Sequence, residues 1–217
     1  MLKMVTCMYI LLFTLVAWVA AEDKVVDVSH WNGRINWTEV RAAGVKLAIA
    51  KATEGGTYTD DTFATNWRGI KQSGIQPGAY HYLRGGTSTA QAQVQNIKNA
   101  LKSVNFGAND MLVIDVEEQF NQNVSKDKMA DVLKAVLDGL KGSFSNLWIY
   151  TGPSYWENKV AWRKYDFSQY KLWIAHYTTK SQPTIPSTWK TKGYSLWQYT
   201  DKGRVNGISG NVDMSRY

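Results

Sequence analysis

The chain has 217 residues, with 25 Lys and Arg against 18 Asp and Glu, one cysteine, 10 Trp and 12 Tyr. A single cysteine excludes a small scaffold stapled by disulfides, and the length suffices to bury a core without them. The formal charge of +7 favours anionic partners, yet no run of Lys or Arg exceeds two residues, which argues against a dedicated nucleic-acid patch.

Residues 1–21 read as a secretory signal: Lys3 near the start, an apolar run from Met8 to Ala20, and Val19-Ala20-Ala21 as a small-residue cleavage site. The run is short for a bilayer span, so stable membrane insertion is not expected. Cys7 leaves with the signal, and residues 22–217 are expected to form one basic domain. Outside the cytosol the available polyanions are bacterial wall polymers, membrane lipids and glycosaminoglycans. Asn36-Trp37-Thr38 and Asn123-Val124-Ser125 are glycosylation sequons, used only in a host that glycosylates.

Along the rest of the chain, short β-rich runs recur: Val25–Val28, Lys46–Ala50, Gly78–Tyr82, Met111–Val116 and Leu147–Tyr150. Helical spacing fills Asp60–Ser73, Ser88–Val104 and Ser125–Leu140, with Ser88 and Ser125 as capping residues and Gly74 and Gly142 near the ends. This alternation predicts βα units around a parallel sheet. After Tyr150 the pattern changes, because Leu172–His176, Tyr194–Tyr199 and Asn211–Met214 follow one another without a long helix, and Pro183 and Pro186 mark an irregular connection. Eight strands with helices confined to the first part predict an α/β fold, a single modified TIM-like barrel.

The sharpest chemical signal is Leu112-Val113-Ile114-Asp115-Val116-Glu117. Side chains two positions apart on a strand share a face, so both carboxyls are expected at the C-terminal end of one barrel strand. If the strands close in sequence order, Asp27 on the first and Asp213 on the last join them at one opening. Four facing carboxyls cannot all ionise cheaply, so at least one should hold its proton at raised pH. Hydrolysis of a glycosidic bond needs that combination, a proton donor beside negative charge that stabilises an oxocarbenium-like centre. A metal site is disfavoured, because three scattered histidines and no calcium-loop spacing provide no ligand set. Packed or hydrogen-bonded roles are expected for His30, His81 and His176.

Read together, Asp27-Val28-Ser29-His30-Trp31-Asn32-Gly33, Lys51-Ala52-Thr53-Glu54-Gly55, Gly78-Ala79-Tyr80-His81-Tyr82, Asp115-Val116-Glu117, Leu172–Tyr177, Leu196-Trp197-Gln198-Tyr199 and Val212-Asp213 resemble the glycoside hydrolase family 25 lysozymes, the Chalaropsis-type muramidases. The resemblance covers nearly all of residues 22–217 and implies a (β/α)5(β)3 barrel that cleaves the β-1,4 bond between N-acetylmuramic acid and N-acetylglucosamine in bacterial peptidoglycan, with retention and no cofactor. It makes Glu117 the general acid/base and Asp115 either a nucleophile or the stabiliser of an oxazolinium formed by the substrate's 2-acetamido group. Asp27 and Asp213 match flanking aspartates with orienting and pKa-setting roles, a direct nucleophilic role for Asp27 being the alternative. Lys51, Tyr80, Tyr82, Tyr150 and Trp197 are candidate substrate contacts, although alternation along the strands forbids all of them from facing the groove. A monomer is expected, secreted or delivered to a lysosomal or phagosomal lumen. Three rivals stand beside this reading. A family 18 chitinase is disfavoured by Val113, where that family has an aspartate; the others are a non-catalytic glycan-binding barrel and membrane damage by a basic, aromatic protein.

Overall fold

The computed structural model describes residues 23–217; the expected signal, with Lys3 and Cys7, lies outside the described residues. Five βα units come first: β1 (Lys24–Val28) with α1 (Trp37–Ala42), β2 (Val45–Glu54) with α2 (Phe63–Gln72), β4 (Gln76–Tyr82) with α3 (Ala90–Ser103), β5 (Met111–Asp115) with α4 (Lys126–Lys141), and β6 (Leu147–Thr151) with α5 (Pro153–Lys159). Three strands follow, β7 (Lys171–Ala175), β8 (Leu196–Gly203) and β9 (Val212–Arg216). The two-residue β3 (Tyr58–Thr59) folds back on the end of β2.

Apart from the short β3, which pairs antiparallel with β2, neighbours from β1 through β8 pair in parallel, whereas β9 runs antiparallel to both β8 and β1 and so closes the barrel. First and last strands therefore adjoin, as the order in sequence implied. The expected loss of long helices after Tyr150 holds except for the seven-residue α5. Its seven residues are too few for a full apolar stripe to declare itself in sequence, although Pro153 at its first turn is a helix-start residue.

Helix starts follow local hydrogen bonding. Ser125 caps α4 by accepting from the Lys128 amide, as its position predicted. At α3 the cap is Thr89, one residue beyond the expected Ser88, whose hydroxyl instead accepts from the Gly56 amide at 3.0 Å. At the start of α2, Asp60 takes both the amide and the hydroxyl of Thr62 and delays the helix to Phe63.

Strand alternation divides the apolar side chains into two layers. One layer, Val25, Leu47, Ile49, Met111, Val113, Trp148, Trp173 and Leu196, fills the barrel interior. The other packs the outer face of the strands against the helices and includes Trp67, Trp156, Trp189 and Trp197. Burying a large apolar side chain contributes roughly 1.5–3 kcal/mol, and these layers supply that stabilisation where no disulfide is available.

Candidate active site

Two residues beyond the apolar interior, the inward positions turn polar. Val25 gives way to Asp27, Ile49 to Lys51, Val113 to Asp115 and Leu196 to Gln198. The inward face thus changes character at the C-terminal end of the barrel, where loops provide access. Asp27, Tyr80, Asp115, Glu117, Tyr150, Trp173 and Asp213 line one cavity there, of about 80 Å³. Larger depressions, of about 640 and 620 Å³, lie beside α1 and α2, and each carries a single acidic side chain. Convergent chemistry, rather than size, marks the smaller cavity as the site.

Asp27 and Asp213 are register partners across the antiparallel β1–β9 pair, and their carboxyls lie within hydrogen-bonding reach. Asp27 is 8% exposed. Burial, then the adjacent Asp213, pushes its carboxyl well above the ordinary aspartate range. Asp213 is raised by burial as well, and its hydrogen bond with Asp27 moderates the shift. Asp27 Oδ2 accepts from Gln198 Nε2 at 2.9 Å. Gln198 Oε1 in turn accepts from the phenols of Tyr150, at 2.8 Å, and Tyr177, at 2.7 Å.

On the opposite wall, Asp115 ends β5, beside Tyr82 of β4 and Tyr150 of β6. It is 5% exposed, and its Oδ1 has no hydrogen-bond partner among the described residues. Burial, then the charge of Glu117, drives its carboxyl well above the usual range, and Lys51 opposes the shift. Glu117 lies two residues past the strand. The Val116 amide between Asp115 and Glu117 still donates across to β6, to Tyr150 O at 2.9 Å. The Glu117 carboxyl is only partly buried, and burial raises it against the pull of Lys51.

Lys51 is itself held. Its ammonium contacts Glu54 at 2.6 Å and lies over the rings of Tyr82, at 5.3 Å, and Tyr58, at 5.6 Å. Glu54 also takes the Arg84 guanidinium, with Nε at 2.8 Å, and the two cations hold its carboxyl below the ordinary range despite burial. The Arg84 guanidinium carbon lies 3.7 Å from the centre of the Phe120 ring, and the aliphatic stem of Arg84 passes close to Gly55. Gly55 has φ +53°, and a Cβ there would meet Arg84 Cγ at 3.0 Å, so only glycine suits both the turn and the contact.

Of the expected substrate contacts, Tyr80 and Tyr150 line the cavity, Tyr82 shares their inward parity, and Lys51 faces the carboxyls. Trp197 does not join them. It occupies an odd position between the inward Leu196 and Gln198, is 1% exposed, and donates its indole N–H to His176 O in the outer layer. The inward residue of that motif is Gln198.

The three histidines are all engaged outside the cavity. His81 is buried between Thr53 and Gln93 and lowered to about 4 by burial, His30 pairs with Asp60 at 2.8 Å, and His176 accepts from the Thr184 amide. Sequence reading assigned no role to Gln198, Tyr177, Glu54, Arg84 or Asn121. The buried Asn121 pins the Glu117 loop by donating to Glu117 O and Leu83 O while accepting from the Gly85 amide. Alternation from the inward Leu196 is the signal that finds Gln198; the others lie on loops or reach the site through a neighbour.

The chain is similar to known proteins over most of its length. Residues 26–208 match the profile of glycosyl hydrolases family 25. The chain is 32% identical to "Lysozyme M1" of Streptomyces globisporus over 88% of its own length and 66% of that relative's, so it spans just under two thirds of that protein. It is 26% identical to the "N,O-diacetylmuramidase" of Chalaropsis sp, covering 86% of this chain and 94% of that one. The crystal structure of a bacterial lysozyme from Streptomyces coelicolor superposes with a TM-score of 0.76 at 30% identity, covering 91% of this chain and 93% of the other. With the match spanning the barrel from β1 into the last loop, the chain belongs to glycosyl hydrolases family 25 and is a glycoside hydrolase.

Proposed function

We propose that the protein is a lysozyme of the N-acetylmuramidase type, which hydrolyses the β-1,4 bond between N-acetylmuramic acid and N-acetylglucosamine in bacterial peptidoglycan with retention of configuration. The observation that carries this reading is the pairing of Asp115, buried with one oxygen unpartnered among the described residues, and Glu117, raised but accessible from the opening.

A cavity of about 80 Å³ equals the liquid volume of roughly two or three waters. It admits a substituent such as an acetamido group, while the sugar ring stays above it. An acetamido N–H reaching Asp115 Oδ1 supplies the donor that oxygen lacks. This lowers the Asp115 carboxyl toward ionisation and leaves the proton of the pair on Glu117. Glu117 then gives that proton to the leaving glycosidic oxygen as the acetamido oxygen attacks C1 and the C1–O bond breaks. Asp115 stabilises the resulting oxazolinium through its N–H. In the second half, the Glu117 carboxylate takes a proton from water, the water oxygen bonds to C1, and the acetamido group is released. Two displacements at C1 retain its configuration.

Tyr80 and Tyr150 flank this path, and Lys51 opposes any further rise of the two carboxyls. The leader pattern of residues 1–21 supports delivery outside the cytosol, to the medium or to a lysosomal or phagosomal lumen. The basic surface suits an anionic wall, where attraction speeds encounter at low salt.

The test is release of new reducing ends from purified peptidoglycan by wild type and Glu117→Gln, with products identified by mass spectrometry. Muramic-acid reducing ends from the wild type alone are expected. Equal release by both proteins, or none by either, overturns the assignment.

A further inference from the structure

We propose that Trp31 is a binding residue for a sugar of the same glycan strand lying outside the pair whose bond is cleaved, so that the protein holds long strands more tightly than short ones. The inference rests on reading the opening as a site for peptidoglycan, and its test separates the two.

Among the described residues five large apolar side chains are exposed, Trp31, Tyr58, Phe120, Tyr177 and Tyr217, and all five are aromatic. Four stand just past the C-terminal end of a barrel strand: Trp31 after β1, Tyr58 after β2, Phe120 after β5 and Tyr177 after β7. Those strand ends form the opening. Tyr217 follows β9, which runs the other way and ends at the opposite face. Apolar side chains scattered singly over a surface need no explanation, but four gathered at one end do. None of the four lines the cavity that holds the carboxyls, so a ligand that meets them extends beyond the reacting groups. A flat aromatic face with polar neighbours suits the C–H face of a pyranose ring.

Trp31, at 84% the most exposed, is mounted on a fixed segment. Ser29 caps the short 3-10 turn His30–Asn32 by accepting from the Trp31 amide at 3.3 Å, and Asn32 accepts from the Ser29 amide at 2.9 Å. The His30 ring, with its centre 4.5 Å from that of the indole, is tied to the buried Asp60 through its backbone amide at 3.1 Å and its Nδ1 at 2.8 Å. With the segment and the supporting ring in place before a ligand arrives, stacking on the indole costs little ordering. Contacts also run without a break from Trp31 to the reacting groups. The His30 and Tyr58 rings lie 6.2 Å apart, the Lys51 ammonium sits 5.6 Å from the Tyr58 ring, and Lys51 faces Asp115 and Glu117. Along the chain, the four residues from Asp27 to Trp31 span at most about 14 Å. A strand held across the carboxyls and leaving over the ends of β1 and β2 therefore passes the indole. The Tyr58 ring already carries an ammonium over one face, whereas the Trp31 indole presents a bare one.

The test uses the whole protein as Glu117→Gln, which leaves strands uncut, alone and combined with Trp31→Ala or Trp31→Phe. Glycan strands of two, four and eight sugars, alternating N-acetylglucosamine and N-acetylmuramic acid, are titrated into each by calorimetry, and amide spectra confirm the fold. Affinity of the parent is expected to rise with strand length. Trp31→Ala is expected to weaken binding of the longest strand by about three- to tenfold and to affect the two-sugar ligand least, while Trp31→Phe, which keeps a ring, stays within about twofold of the parent.

A folded Trp31→Ala protein that binds all three strands as tightly as the parent overturns the proposal. An equal loss at every length also overturns it, because Trp31 would then act at the reacting sugars or through the fold. So does a change in oligomeric state with strand affinity untouched, which would make the face a contact between two copies. Length-dependent binding through Trp31 by a protein that, with Glu117 intact, leaves peptidoglycan uncut keeps this assignment and removes the hydrolytic one.

Discussion

Across the opening, two walls hold acidic side chains by different means. On the wall of β1, β8 and β9, Asp27 and Asp213 lie among neutral partners, the Gln198 amide and the phenols behind it, and charge is limited by sharing a proton. On the wall of β2, β4 and β5, Asp115 and Glu117 face Lys51, whose ammonium is fixed by Glu54, which Arg84 fixes in turn. The first arrangement keeps a proton in place. The second, with a cation nearby and an Asp115 oxygen that has no partner among the described residues, leaves the proton free to change owner when a donor arrives. Acid catalysis needs a movable proton, so in the proposed reaction the chemistry belongs to the cationic wall and orientation to the neutral one.

Substitution by the neutral isostere on each wall gives the largest contrast. Glu117→Gln removes the movable proton and is expected to lower peptidoglycan turnover by about 10²–10⁴-fold, the usual range for a general acid/base. Asp27→Asn imitates a protonated aspartate: its amide oxygen still accepts from Gln198, and its N–H still reaches Asp213. Turnover within about tenfold of wild type is expected, since no transferred proton is lost. Rates from reducing-end release decide the matter. Equal losses on the two walls would erase the distinction and make Asp27 a participant in the chemistry.

The same Asp27→Asn variant should be the more stable protein at neutral pH. In the folded state the Asp27 carboxyl lies well above its ordinary value of 3.8, so the folded protein binds that proton more tightly than the unfolded chain does. Its contribution is therefore complete below the ordinary value and declines as pH rises toward the folded value, by at most about 1.4 kcal/mol per pH unit. Asparagine has no such dependence. Thermal melts from pH 4 to 8 are expected to show a Tm advantage for Asp27→Asn that widens with pH. An advantage that shrinks toward neutral pH would mean that Asp27 is stabilised as an anion.

Much of this could be read from the chain because the relevant signals are local. The alternation of βα units, the Asp115 and Glu117 spacing and the closure that brings Asp27 beside Asp213 each depend on short patterns or on strand order. Trp197 misled for a physical reason: its aromatic bulk suits a sugar-binding mouth equally well as a helix-facing core, and only parity separates the two. Counting by twos from the apolar Leu196 puts Gln198 inside and Trp197 outside. Arg84 and Glu54 carried no such signal, since they act through contacts between the ends of β2 and β4, 30 residues apart. Asn121 was equally silent, because its three backbone contacts depend on the folded path of the loop after β5 rather than on any spacing.

The smallest expected effect probes how the cationic wall is tuned. Glu54 has two opposed influences on the Asp115–Glu117 pair: its own charge raises both carboxyls, while it also fixes the ammonium that lowers them. Glu54→Gln removes the anion but keeps hydrogen-bond acceptance toward Lys51, so a positive contribution is left less compensated beside the pair. Both carboxyls then ionise at lower pH. Because Glu117 must be protonated to act as the acid, the high-pH limb of the kcat profile is expected to move down, by about half a pH unit to one unit. A profile from pH 4 to 9 on purified peptidoglycan measures it. Movement in the opposite direction would mean that release of Lys51 from its anchor outweighs the lost anion, making Glu54 chiefly the residue that positions the ammonium.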